Sequence, residues 1–131
     1  MDAKTERLKQ VPLFRQCSKR GLARIASLAD ELDLPAGRAL MTEGASGREF
    51  VVLVEGVADV TRDGEVVNTL GPGDFLGEIS LVTGQPRTAT VTTRSPAKLL
   101  VMSAPAFRSL LDWAPRIRRR VTAAAALRSI S

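Results

Sequence analysis

The chain has 131 residues, 44% of them hydrophobic and 25% charged, which is enough to bury one core without covalent staples. It holds no histidine, no tyrosine and one cysteine, Cys17, so a histidine-assisted nucleophilic triad, a histidine-ligated metal site, a multi-thiolate zinc site and an internal disulfide are all excluded. The net charge of +5 is uneven: residues 1–38 carry eight basic and five acidic side chains, residues 39–93 three and eight, and residues 94–131 eight and one.

Residues 1–36 are predicted as helical. Leu22, Ile25, Ala26, Leu28, Ala29 and Leu32 recur at the spacing of one buried helical stripe, Ser18 is placed to cap it, and Pro35 marks the exit. Residues 37–103 change texture. Nine of the ten glycines fall between Gly37 and Gly84, and between them lie short β-branched runs: Phe50–Val54, Val57–Thr61, Val66–Leu70, Thr88–Thr93 and Leu99–Met102. With turns such as Asp63-Gly64 between them, these runs predict a glycine-rich β-roll or jelly-roll sandwich. Residues 104–131 return to helix. Ser103 can cap and Pro105 fits a first turn, while Pro115 ends one helix and can open the next. Ile117, Val121, Ala124 and Leu127 or Arg128 would mark the buried face of that last helix, with Arg116, Arg118, Arg119 and Arg120 around its start. The fold class is therefore mainly β with flanking helices, an α+β arrangement forming one domain over 1–131.

The longest stretch without a charge, Leu99 to Phe107, is about half a membrane span, and the charged N-terminus (Asp2, Lys4, Glu6, Arg7) is unlike a secretion signal. No membrane span is expected. A lone cysteine, predicted to lie in a helix as a small hydrophobe, fits a reducing compartment, so a cytoplasmic location is expected. Glu43, Glu49 and Glu55 could suggest a two-carboxylate hydrolase, but their six-residue spacing is expected to place them at turns of separate strands, and no catalytic residue is assigned.

The stretch that carries chemistry runs from Phe75 to Ala89. Gly77 lets backbone approach a ligand, Glu78 to Val82 is long enough for one helical turn, and Gly84 ends it. The first amides of such a turn face outward without partners and favour an anion. Arg87 follows Gly77 by ten residues and can clamp a phosphate from across a pocket. Glu78 would repel that phosphate unless it pointed at a hydroxyl, such as a sugar 2′-OH. These parts describe a ribose and a single negative charge held close together.

The pattern Phe75-Leu76-Gly77-Glu78-Ile79-Ser80-Leu81, followed by Pro86-Arg87-Thr88-Ala89, closely resembles the phosphate-binding cassette of the cyclic nucleotide-binding domain family. Val11-Pro12-Leu13-Phe14 resembles that family's helical lead-in. Residues 35–44 and 50–60 resemble its first strands, so the likeness covers about residues 11 to 128.

The resemblance implies a set of roles. Glu78 bonds the ribose 2′-OH, Arg87 pairs with the exocyclic phosphate oxygen, and the amides of Ile79, Ser80, Thr88 and Ala89 line the phosphate beside Gly77. Val67 and Ala58 match positions against the purine. Thr88 is compatible with cAMP or cGMP, and cAMP is favoured. The last helix would act as a lid, with Arg128 reaching the purine and Leu127 as an apolar cap.

The implied function is that of a regulatory sensor, not an enzyme. Occupancy would be relayed through the C-terminal helices to an effector protein or a fused effector domain, for which no residues remain here, although the start at Met1 leans toward a complete chain. The alternative is a degenerate roll that binds no nucleotide and docks partners through its basic C-terminal helix. No recognition helix or interleaved aromatics support sequence-specific DNA binding.

Overall fold

The computed structural model describes residues 3–45 and 48–130; for Val82 and residues 128–130 it describes the backbone only. The chain opens with helix α1 (Ala3–Gln10), a 3-10 turn at Pro12–Phe14, and helix α2 (Lys19–Leu28). Ser18 caps α2 as its sequence position predicts, its hydroxyl accepting the Gly21 N–H at 3.1 Å.

The helix does not continue to Pro35. Ala29 turns extended and Asp30–Leu34 forms strand β1, correcting the helical expectation for residues 30–34. Three local forces favour the strand. Aspartates at 30 and 33 are weak helix formers. Pro35 pushes Leu34 out of the helical region. Arg7 donates two hydrogen bonds to Glu31, at 2.7 and 2.6 Å, and Lys98 pairs with Asp33 at 2.9 Å, tying the strand at both sides. Leu32, expected on the buried stripe, is 45% exposed.

Seven further strands follow: β2 (Ala39–Met41), β3 (Glu49–Glu55), β4 (Ala58–Arg62), β5 (Glu65–Leu70), β6 (Phe75–Leu76), β7 (Thr90–Thr93) and β8 (Ala97–Ser103). They form two four-stranded antiparallel sheets, ordered β1-β8-β3-β6 and β2-β7-β4-β5. The β4–β5 hairpin turns at Asp63-Gly64, both with positive φ (53° and 83°), as an Asp-Gly hairpin requires. β7 begins two residues later than the β-branched run suggests, so Thr88 and Ala89 stay outside the ladder. Glu49 and Glu55 open and close the same strand, which corrects their expected placement on separate strand turns.

The apolar run Phe50–Leu53 is buried on both faces, which is why it does not alternate. Phe50 and Val52 face the helices and meet Leu22, Ile25, Phe107 and Leu110. Phe50 stacks on Phe107 with centroids 4.4 Å apart. Val51 and Leu53 face the second sheet and meet Ala58, Leu70 and Val91.

Between β6 and β7 lies helix α3 (Glu78–Thr83), and the chain ends in α4 (Ala104–Trp113) and α5 (Pro115–Ile130). Ser103 caps α4 by accepting the Ala106 N–H at 3.2 Å, with proline in the first turn. The buried face of α5 is Ile117, Val121 and Ala125, rather than the predicted face through Ala124 and Leu127, and Leu127 is 71% exposed. Four-residue steps carry the contact line one position away from the expected one. α5 packs on α3, on α4 and on the 3-10 turn. Among the described residues, no helix is long and apolar enough to cross a membrane.

Candidate functional site

A cavity of about 380 Å³ opens between α3 and the β2-β7-β4-β5 sheet. Its lining includes Gly77, Glu78, Ile79, Ser80, Arg87, Thr88 and Ala89, which the chain brings together from both sides of α3. Gly77 is the N-cap of α3 and makes no side-chain cap, and Gly84 ends the helix in the left-handed region at φ 77°.

Gly77 has a role that its sequence position does not reveal. Its φ is 97°, and a Cβ there would sit 2.4 Å from the Glu49 carbonyl oxygen and 2.9 Å from Arg87 Nη1. The close approach it permits is to β3 and to the arginine of its own chain. Arg87 is thereby seated between two backbones. Its Nη1 donates to the Gly77 carbonyl at 2.9 Å and its Nη2 to the Glu49 carbonyl at 2.8 Å. Its backbone is held as well: Arg87 N–H donates to Ala45 O, and Gly44 N–H donates to Arg87 O, both at 2.8 Å.

Arg87 is only 8% exposed and Glu78 is fully buried. Burial pulls the guanidinium pKa below its ordinary value, while the carboxylates of Glu49 and Glu78 pull it back up without cancelling the effect. The site thus contains a buried guanidinium whose lost hydration is only partly offset by neighbouring carboxylates, and a guanidinium has five N–H donors to share between two carbonyls and whatever enters.

Of the remaining predicted residues, Val67 lines the cavity and is 53% exposed, as an apolar platform would be. Ala58 does not line it. The residue is fully buried in the core between the sheets, and Val60, two residues on along β4, takes the place on the wall. Arg128 lies on α5, but its side chain is outside the described residues. The exposed Leu127 is not among the lining residues.

Sequence reasoning missed Met41, Arg62 and Asn68, all on the wall. Arg62 Nε donates to the Thr88 carbonyl at 3.2 Å, which fixes the loop ahead of β7. Nothing local marks these three, because strand pairing alone carries them to the cavity.

Two antiparallel sheets closed by helices, with a cavity over a short helix and a buried arginine, define a β-roll class of fold. Residues 31–112 match the family model described as "Cyclic nucleotide-binding domain", and the chain belongs to that family. The chain is 35% identical over 106 residues to a cAMP-dependent protein kinase regulatory subunit of Yarrowia lipolytica, covering 79% of this chain and 28% of that protein. It is 34% identical over 107 residues to a cyclic nucleotide-gated potassium channel of Mesorhizobium japonicum, covering 82% of this chain and 30% of the channel. The chain thus spans less than a third of each of these curated relatives.

Among solved structures, the regulatory domain of Toxoplasma gondii PKA crystallised with cAMP superposes with a TM-score of 0.82 at 20% identity, covering 94% of this chain and 49% of that one. A regulatory subunit of a cAMP-independent protein kinase A from Trypanosoma brucei superposes at 0.84 with 16% identity, covering 92% of this chain and 44% of that one. The same fold is therefore described with cAMP and as cAMP-independent.

Proposed function

We propose that this chain is a regulatory sensor that binds one cyclic nucleotide, cAMP in preference to cGMP, in the cavity beside α3. The observation that carries the reading is Arg87: a buried guanidinium held by two carbonyls and lining a cavity large enough for a nucleotide. A monoanionic cyclic phosphate accepts from the guanidinium's remaining N–H donors, and a charged hydrogen bond in a desolvated site is among the stronger ones.

Glu78 accepts the ribose 2′-OH. The amides of Ile79, Ser80, Thr88 and Ala89 surround the phosphate, free of a strand ladder in the case of the last two. Val67 lies against the base, with Val60 rather than Ala58 beside it. On binding, the end of α5 closes over the opening. Because α5 packs on α3, a ligand that draws α3 inward changes how α5 is seated, and it shifts the population only as far as it prefers the closed state. The effector that reads this movement lies outside the chain. A roll that bound nothing would gain little from burying Arg87 and Glu78 side by side, which disfavours the purely scaffolding alternative.

A thermal-shift screen with cAMP, cGMP, AMP and 2′-deoxy-cAMP tests the reading. A ligand at about a hundred times its Kd stabilises the folded state by ~2.7 kcal/mol. The expected order is cAMP above cGMP, with AMP and the 2′-deoxy compound weakest. Equal shifts for cAMP and its 2′-deoxy form would remove the role of Glu78, and no shift with any ligand would reject the sensor.

A further inference from the structure

A second cavity, about 810 Å³, is framed by the 3-10 turn, the start of α2 and the α4–α5 corner. It shares no lining residue with the nucleotide cavity. Arg15, Arg116, Arg119 and Arg120 line it, and no carboxylate does. The partners that two of these arginines have are neutral. Arg116 Nη1 donates to Gln16 Oε1 at 3.1 Å and Arg120 Nη1 to the Pro12 carbonyl at 2.9 Å, and among the described residues no carboxylate faces the four arginines inside the cleft.

The wall behind them is apolar, formed by Leu13, Trp113 and Ile117. The Trp113 ring carries Arg24 over its face, 4.6 Å from the centroid. Its indole N–H is buried and has no acceptor among the described residues.

We propose that this cleft docks an acidic segment of a partner protein, one that carries an apolar side chain among its carboxylates. The carboxylates meet the arginines, and the apolar side chain seats against Trp113 and Ile117. A phosphodiester backbone would use the arginines but leave the apolar wall unfilled, which favours peptide over nucleic acid. The docking site stands independently of nucleotide binding.

The chain holds its own reporters, since Trp113 is the only tryptophan, Cys17 is the only cysteine, and both line the cleft. Burial pushes the Cys17 thiol up, so alkylation is followed in mildly alkaline buffer. The full chain is titrated with a synthetic peptide of glutamates flanking a leucine pair. The expected result is a saturable shift in tryptophan emission together with slowed alkylation of Cys17. A double variant, Arg15→Glu with Arg119→Glu, should bind at least ~tenfold more weakly while melting as the wild type does.

Four results would overturn the proposal: no change in emission or alkylation; equal binding by a glutamate peptide of the same charge without leucines; stronger protection of Cys17 by a single-stranded oligonucleotide; or protection without peptide that tracks self-association of the chain.

Discussion

Gly77 and Arg87 act as one unit. At φ 97° a Cβ on residue 77 would strike the Glu49 carbonyl, so the position requires glycine, and that same carbonyl helps hold the guanidinium. Gly77→Ala is therefore predicted to cost at least ~1–3 kcal/mol of stability through backbone strain. It should also lower cAMP affinity by displacing Arg87. Urea unfolding and a binding titration on the same variant check both effects, and a variant unchanged in both would show that the pivot tolerates a side chain.

Glu78 and Arg87 were legible in the sequence because one short segment holds both, at a spacing that a one-turn helix explains. The carbonyl of Glu49 was not legible, since 38 residues separate it from the arginine it binds. Ala58 illustrates the opposite limit. A residue matched by position along β4 proved to face the core, because a small side chain there fills the space between sheets.

At the level of elements, the α2–β1 boundary shows where periodicity misleads. Apolar residues at three- and four-residue spacing continue through Leu32, yet charge pairing and Pro35 make residues 30–34 a strand. The caps at Ser18 and Ser103, the Asp63-Gly64 turn and the start of α5 at Pro115 were readable because each depends on neighbours in sequence.

The Arg7–Glu31 pair gives the strand a pH signature. Its hydrogen bond to Arg7 holds the Glu31 carboxyl below the ordinary carboxylate range. A depressed folded-state pKa contributes stability that is complete above the unfolded carboxyl pKa and lost as pH falls through the folded one. Melting curves of wild type and Glu31→Gln should therefore separate modestly at neutral pH and converge in acid, with salt narrowing the gap because both side chains are partly exposed. Identical curves at neutral pH and low salt would mean that the pair does not hold β1.

Across the whole molecule, β3 joins two cores, one toward the helices and one between the sheets. The roll and its helical flanks were visible in the spacing of glycines and β-branched runs. The strand order β1-β8-β3-β6 was not, because it pairs residues from opposite ends of the chain. α3, which lines one cavity, packs against α5, whose first turns wall the other.

In the proposed complex the cyclic phosphate is the anion that Arg87 holds. Calorimetric titration of cAMP into wild type and Arg87→Ala tests it most directly. The account predicts one site per chain in the wild type and a loss of ~3–5 kcal/mol in the variant, roughly a hundredfold or more in Kd. Variant affinity within about threefold of wild type, or no heat from the wild type at all, would contradict it.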